Sequence, residues 1–253
     1  MYIKQFIEQL DLKYGDFLLI TGNLVKFLMK AKREDKNFNL DILIDLILEK
    51  IGQEGTLAIQ TFNWDFCTGE TYDIINSKSK TGSLGNIALK RKDFKRTRHP
   101  IYSFAVTGKY QEELVSLDNR GAFDKNSPFN FMFKNNAQMI IVELPLQNSF
   151  TFVHYVEEIH NVSYRYNKTF KANYIDADGN KKLLSYDMHV RDIENNVLTN
   201  VEPLEKIFID NNVMNVSLYE DIEIKKINLT KAYYIIADDI KYNNAKNLYT
   251  IGE

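Results

Sequence analysis

The chain has 253 residues, 44% of them hydrophobic and 26% charged, as is usual for a globular protein with a sizeable core. Its formal net charge of −2 gives no overall attraction to nucleic acid or to an anionic membrane, so neither partner is expected. The single cysteine, Cys67, excludes an internal disulfide and a cysteine-rich zinc site, and no metal is predicted. Without a signal-peptide pattern or a long apolar run, a cytoplasmic protein is expected.

Strand and helix patterns alternate over the first part of the chain. Short apolar runs predict buried strands, and an apolar stripe that stops at Gly52 predicts a helix. The strands predicted here are 16–22, 56–62, 101–107 and 138–144, and the helices are 40–51, 111–116 and 149–159, the last capped by Asn148 or Ser149. This alternation predicts an α/β fold, a layered sheet with flanking helices.

Beyond residue 162 the pattern becomes more antiparallel. Strand-like runs at 164–174 and 181–190 flank an Asp-Gly pair, which is a hairpin signal. A helix at 201–211 and closing strands at 222–227 and 232–237 follow. We find no linker and no repeat, so a single domain over residues 1–253 is predicted.

The sharpest candidate for chemistry is the spacing of Thr151, His154 and Glu157, each three residues apart. Residues at this spacing share a helix face. A neutral imidazole accepts a proton near pH 7, and a carboxylate on its other nitrogen fixes the tautomer. Spacing alone leaves open a structural histidine on an amphipathic helix. It also does not decide whether Glu157 or Glu158 pairs with His154.

A second candidate is the small-residue segment 81–86, which precedes a run rich in lysine and arginine at 90–98. Backbone N–H groups at a helix start bind phosphate, although an ordinary capped helix with a solvated basic face has the same pattern. His99 stands before Pro100, which favours an extended backbone and fits a structural hydrogen bonder as well as a catalyst.

Taken in order, these segments resemble the aminoglycoside 3-N-acetyltransferase family, the antibiotic N-acetyltransferases. The resemblance covers roughly residues 10–170. The matching positions are Gly15-Asp16, Gly55-Thr56, Thr81-Gly82, Arg96, Thr97, His99, Pro100, Ser103, Gly108, Ser127-Pro128, Asn148, Thr151, His154 and Glu157. Thr81 stands where the family usually has Met, Thr97 where it has Ser, and Asn86 where Glu is common.

The resemblance implies an acyl-CoA-dependent N-acetyltransferase. Acetyl-CoA is the expected co-substrate, with a longer acyl-CoA as an alternative, and an amino sugar is the acceptor. His154 is the implied general base and Glu157 orients it, while Thr151 helps to hold the oxyanion. The residues expected to bind the coenzyme are Gly82, Ser83, Gly85, Arg96, His99, Ser103 and Ser127.

Acceptor specificity is expected to reside in residues 162–253, where no family pattern is matched. The charges there are mixed, which favours a nucleotide-linked amino sugar used in surface glycan synthesis. Acetylation of an aminoglycoside, conferring antibiotic resistance, is the alternative. An inactive binding protein on the same fold is a third hypothesis, which the presence of both His154 and Glu157 disfavours.

Overall fold

The structure is a computed structural model that describes residues 2–252. Its strands are β1 (Phe17–Gly22), β2 (Thr56–Gln60), β3 (Tyr72–Asp73), β4 (Lys95–Arg96), β5 (Phe104–Gly108), β6 (Gln138–Val142), β7 (Arg165–Ile175), β8 (Lys181–Arg191), β9 (Val197–Thr199), β10 (Met214–Tyr219), β11 (Ile222–Asn228) and β12 (Tyr249–Ile251). Its α-helices are α1 (Tyr2–Gln9), α2 (Val25–Glu34), α3 (Leu40–Ile51), α4 (Ser83–Ala88), α5 (Gln111–Ser116), α6 (Pro128–Lys134), α7 (Leu146–Ser149), α8 (Val153–Ile159), α9 (Glu202–Asp210) and α10 (Leu229–Tyr242).

The central sheet has seven strands in the order β10-β11-β6-β1-β2-β5-β4. The three middle strands β6, β1 and β2 are parallel, and the strands on either side join antiparallel. Strand β1 is buried on both faces. Leu18 and Ile20 pack with α1, α2 and α3, whereas Leu19 packs on the opposite face with α6, α8, α9 and α10. A parallel core covered by helices on both faces explains why its strands read as continuous apolar runs.

Strands β7 and β8 form a long hairpin that β3 extends into a three-stranded sheet. Asp176 closes the hairpin turn, since its Oδ1 accepts hydrogen bonds from the backbone N–H groups of Asp178 and Asn180. The first residue of β7 is Arg165, which lies next to helix α8. No helix in the described part of the chain is long and apolar enough to cross a bilayer.

The predicted α/β class with a more antiparallel carboxyl-terminal part is confirmed, but the helix predicted at 149–159 is wrong. Two helices, α7 and α8, stand there with a bend between Phe150 and Phe152. The Ser149 hydroxyl donates to the Pro145 carbonyl and so belongs to α7. Helix α8 therefore has neither Asn148 nor Ser149 as its N-cap.

The strand predicted at 232–237 is also wrong, since this run lies inside α10. Leu229, Ala232 and Ile236 are buried at helical spacing, and the Asn228 side chain caps the helix by accepting from the Lys231 N–H. A short apolar run looks the same in a buried helix and in a strand. The cap four residues earlier was the signal that distinguishes them.

Gly85 lets α4 pack against the end of β2. A Cβ at position 85 would overlap the Gln60 carbonyl oxygen and crowd Ser79. We expect Gly85→Ala to lower the free energy of unfolding by about 1–3 kcal/mol, the usual cost of overpacking. Urea denaturation measures this, with Ser83→Ala as the control because Ser83 is exposed on the same helix. Equal stability of the two variants would contradict the close packing.

Candidate active site

Helix α8 brings a histidine and a carboxylate together at the surface of the core. Val153 and Val156 anchor the helix in the hydrophobic cluster, and Glu157 lies on the same inward side with no exposed area. The His154 side chain keeps 19% of its surface exposed. The helix therefore buries the carboxylate and leaves the imidazole at the edge of a recess.

His154 pairs with Glu157. The Nδ1 atom of His154 lies 2.6 Å from Oε2 of Glu157. Two residues that follow the helix complete the carboxylate's surroundings. Tyr164 donates its hydroxyl to Oε1 at 3.0 Å, and Arg165 places Nε 2.7 Å from Oε2. Both oxygens of Glu157 are therefore engaged, and Glu158 is not the carboxylate that contacts Nδ1.

This arrangement keeps the carboxylate charged and the imidazole neutral. Burial alone would raise the pKa of Glu157, but His154, Arg165 and Tyr164 together hold it below its ordinary value. Burial lowers the pKa of His154, and the nearby Arg165 charge lowers it further against the opposing effect of Glu157. At neutral pH a neutral His154 donates Nδ1–H to Glu157 and keeps Nε2 as a proton acceptor.

Thr151 lies one turn before His154, and its carbonyl accepts the His154 N–H at 3.1 Å. Both residues line a small recess of about 90 Å³. The other residues around this recess are Gln147, Asn148, Ser149, Phe150, Val153, Thr199 and Val201. The structure therefore brings together Thr151, His154 and Glu157, the three predicted catalytic residues.

Helix α8 also carries Glu158, which belongs to a carboxyl-rich group with Asp124 and Asp187. Glu158 follows His154 by one helical turn, and burial together with the charges of Asp124 and Asp187 raises its pKa to about 7. Asn167 donates Nδ2–H to Glu158 at 3.3 Å. No cation pairs with Glu158 in the part of the chain that the structure describes.

His189 is buried beside Asn167, the residue that donates to Glu158. It is 7% exposed, and its Nδ1 lies 2.9 Å from the Asn167 Oδ1. Burial lowers the pKa of His189 to about 4, so the ring is neutral. The pairing of β7 with β8 places Asn167 opposite His189, a contact that no local spacing reveals.

An aromatic wall connects His154 to the loop after β2. The Phe123 ring lies 5.7 Å from the imidazole, Tyr102 lies 4.8 Å from Phe123, and Trp64 lies 6.4 Å from Tyr102, measured between ring centroids. Trp64 is 40% exposed at the far end. Trp64 follows β2 and offers a flat surface to a bound ring.

The small-residue segment 81–86 does begin a helix, as predicted. Gly82 is the residue before α4, with φ of +102°, and Gly82 and Ser83 are both exposed. Gly85 is buried against β2. Of the residues expected to bind the coenzyme, Gly82 and Ser83 are thus open to solvent.

Four other residues expected at the coenzyme are buried framework. Arg96 is 7% exposed, and His99, Ser103 and Ser127 are each at most 1% exposed. Arg96 donates to Ser103 and to two backbone carbonyls, and His99 Nδ1 accepts the Ile101 and Tyr102 N–H groups. Ser127 caps α6. Most polar atoms of these four side chains serve internal contacts, so their expected contact with the coenzyme stays a prediction.

The basic run at 90–98 is largely neutralised by neighbouring carboxylates. Arg91 contacts Asp41, Asp45 and Asp93 at 2.8–2.9 Å. Lys95 pairs with Glu112. The run is therefore a paired surface rather than an open cluster of cations.

The architecture and the His154–Glu157 pair point to one family of enzymes. The profile described as Aminoglycoside 3-N-acetyltransferase matches residues 32–239. The chain belongs to this family. Membership confirms the predicted acyl-CoA-dependent N-acetyltransferase, a class whose co-substrate is acetyl-CoA. It also favours the aminoglycoside alternative over the nucleotide-linked amino sugar.

Solved structures share the fold of this aminoglycoside 3-N-acetyltransferase family member. AAC-IIIb in a binary complex with CoASH is 12% identical, with 95% of each chain covered and a TM-score of 0.77. AAC-VIa with bound sisomicin is 12% identical, with 96% of this chain and 98% of that chain covered and a TM-score of 0.76. The YokD protein from Bacillus subtilis is 17% identical, with 97% and 94% covered and a TM-score of 0.76. No curated protein matches the chain.

Proposed function

We propose that the chain acetylates an amine of an aminoglycoside-type amino sugar with acetyl-CoA, using His154 as general base. The observation that carries the proposal is the buried Glu157 carboxylate beneath Nδ1 of His154. It fixes the tautomer in which Nε2 is free to accept a proton. General-base catalysis of this kind contributes about 10²–10⁴ in rate.

In this mechanism the neutral amine of the acceptor attacks the thioester carbonyl carbon while Nε2 of His154 takes its proton. The C–S bond of the tetrahedral intermediate then breaks, and the leaving thiolate recovers that proton from the imidazolium. The products are the N-acetyl sugar and coenzyme A, so no acyl-enzyme forms. Thr151 and backbone N–H groups beside the recess are the donors proposed for the oxyanion.

The charges near His154 favour a cationic acceptor. The charges of Asp124 and Asp187 raise the pKa of Glu158, and among the residues that the structure describes only Asp187 of these three pairs with a cation, Arg120. Carboxylates attract the ammonium groups of an aminoglycoside and repel the diphosphate of a sugar nucleotide. This is the reason to propose the aminoglycoside, which would make the enzyme an antibiotic-modifying one, in place of the sugar nucleotide expected from mixed charges.

Coenzyme A is proposed to approach along the start of α4, where Gly82 and Ser83 are exposed. The recess of about 90 Å³ beside His154 fits a two-carbon acyl group better than a long one. Acetyl-CoA is therefore the proposed donor. The division of a single domain, with residues 162–253 as the part that selects the acceptor, stays a proposal.

Thiol release from acetyl-CoA tests this function. We expect release with aminoglycosides and none with nucleotide-linked amino sugars.

We also expect Glu158→Gln to raise the KM for aminoglycosides about tenfold, the effect of one charge-assisted contact. Glu194→Gln, which changes an exposed carboxylate in the same half of the chain, is the control. Release with nucleotide-linked sugars alone would reverse the choice of acceptor.

A further inference from the structure

We propose that Arg165 is a positioning residue for the general base. Its guanidinium holds Glu157 in one orientation, so that His154 presents a neutral Nε2 to the acceptor. This inference deepens the proposed function and rests on it. Arg165 does not touch the recess beside His154 and acts only through Glu157.

The surroundings of Arg165 support this role. Its side chain is 5% exposed, so the charge depends on partners from the protein. Nε lies 2.7 Å from Oε2 of Glu157 as an ion pair without hydrogen-bond alignment, whereas Nη2 donates to the Thr199 hydroxyl at 2.5 Å and Nη1 donates to the His189 carbonyl at 3.4 Å. The planar fork of an arginine can meet three separate partners in this way, whereas a lysine ammonium cannot match its geometry.

These contacts fix the carboxylate from two directions. Arg165 and His154 both approach Oε2 of Glu157, and Tyr164 holds Oε1. A carboxylate held at both oxygens cannot rotate, so the imidazole that donates to it is also held. Thr199 accepts a hydrogen bond from Nη2 of Arg165 and also lines the recess beside His154. Arg165 therefore contacts a residue of the recess wall.

Besides orienting Glu157, Arg165 acts on His154 through its positive charge. The charges that act on His154 are Glu157 on α8 and Arg165 on β7, and the neutral His189 on β8 is near enough to be affected by His154. Glu158, whose pKa Asp124 and Asp187 raise, follows His154 by one turn of α8. Among them Arg165 is the only permanent cation. It offsets Glu157 and so disfavours protonation of His154, which keeps the base ready at neutral pH.

Two substitutions separate charge from shape. Arg165→Met removes the charge, and we expect the acid limb of the kcat/KM profile to move to higher pH by about one unit. Arg165→Lys keeps the charge, and we expect that limb to stay in place while kcat falls about tenfold. Arg91→Met is the matched control, since Arg91 is also salt-bridged but lies with Asp41, Asp45 and Asp93. It should change neither value.

A second readout does not depend on activity. The chain has four histidines, and the NMR signal of His154 is assigned by its loss in His154→Asn. We expect His154 to titrate at higher pH in Arg165→Met than in the wild type. If no acceptor supports thiol release but this titration moves, the proposed function fails and the role of Arg165 stands.

Three results overturn the inference. One is an unchanged His154 titration in folded Arg165→Met. Another is a kcat of Arg165→Lys equal to that of the wild type, which would show that the guanidinium geometry is not required. The third is an equal shift in the Arg91→Met control. If Arg165→Met does not fold, the kcat of Arg165→Lys decides the matter alone.

Discussion

Replacing His154 with Asn is expected to lower kcat for acetyl transfer by about 10²–10⁴ while leaving the fold intact. Asn keeps a polar group near Glu157 but cannot accept the proton of the attacking amine. The side chain is partly exposed, so its loss opens no sealed cavity. Thiol release measures the activity, and circular dichroism with thermal unfolding checks the fold.

The control is His160→Asn, on the residue that directly follows the same helix. His160 contacts the Tyr233 hydroxyl at 3.3 Å and pairs with no carboxylate among residues 2–252. Its replacement should leave kcat unchanged. If His154→Asn kept near wild-type turnover, His154 would not be the base.

The wild-type pH profile follows from the same site. Burial and Arg165 lower the pKa of His154, so its neutral form persists below the ordinary titration range of histidine. With saturating acceptor, kcat should therefore stay constant as the pH falls until it reaches that lowered pKa, which a kcat–pH profile measures.

Local signals predicted the elements that are stabilised locally. Helix α3 was predicted at its observed bounds because its apolar stripe and the glycine that directly follows it, Gly52 with φ of +64°, are both local features of the sequence. The His154–Glu157 pair was predictable for the same reason, since three residues on a helix bring side chains together.

Contacts between distant segments were not predictable. Arg165 meets Glu157 only because the chain reverses between α8 and β7, and His189 arrives from the opposite strand of the hairpin. The resemblance placed Arg96 and His99 near the coenzyme without showing which way their side chains face. The packing of the folded chain sets the direction of these side chains, and both are buried in the interior.

Glu157→Gln is expected to damage both stability and activity. The amide cannot neutralise Arg165, which would remain buried with its charge unpaired. Removing one partner of a buried ion pair typically costs about 3–5 kcal/mol of unfolding free energy. The amide also accepts the Nδ1–H of His154 more weakly, so kcat should fall about tenfold or more. Urea denaturation at pH 7 and thiol release measure the two effects.

Two comparisons make this result specific to the ion pair. Glu158→Gln changes the next carboxyl along, whose pKa of about 7 leaves it partly protonated at neutral pH, and it should cost less than about 1 kcal/mol. Adding Arg165→Met to Glu157→Gln should restore part of the lost stability, because the unpaired charge is gone.

The low pKa of Glu157 also makes its contribution to the unfolding free energy depend on pH. This contribution is present above the ordinary glutamate pKa of 4.5 and is lost as the pH falls through the lowered value. A Glu157→Gln protein as stable and as active as the wild type would show that the buried carboxylate neither balances Arg165 nor orients His154.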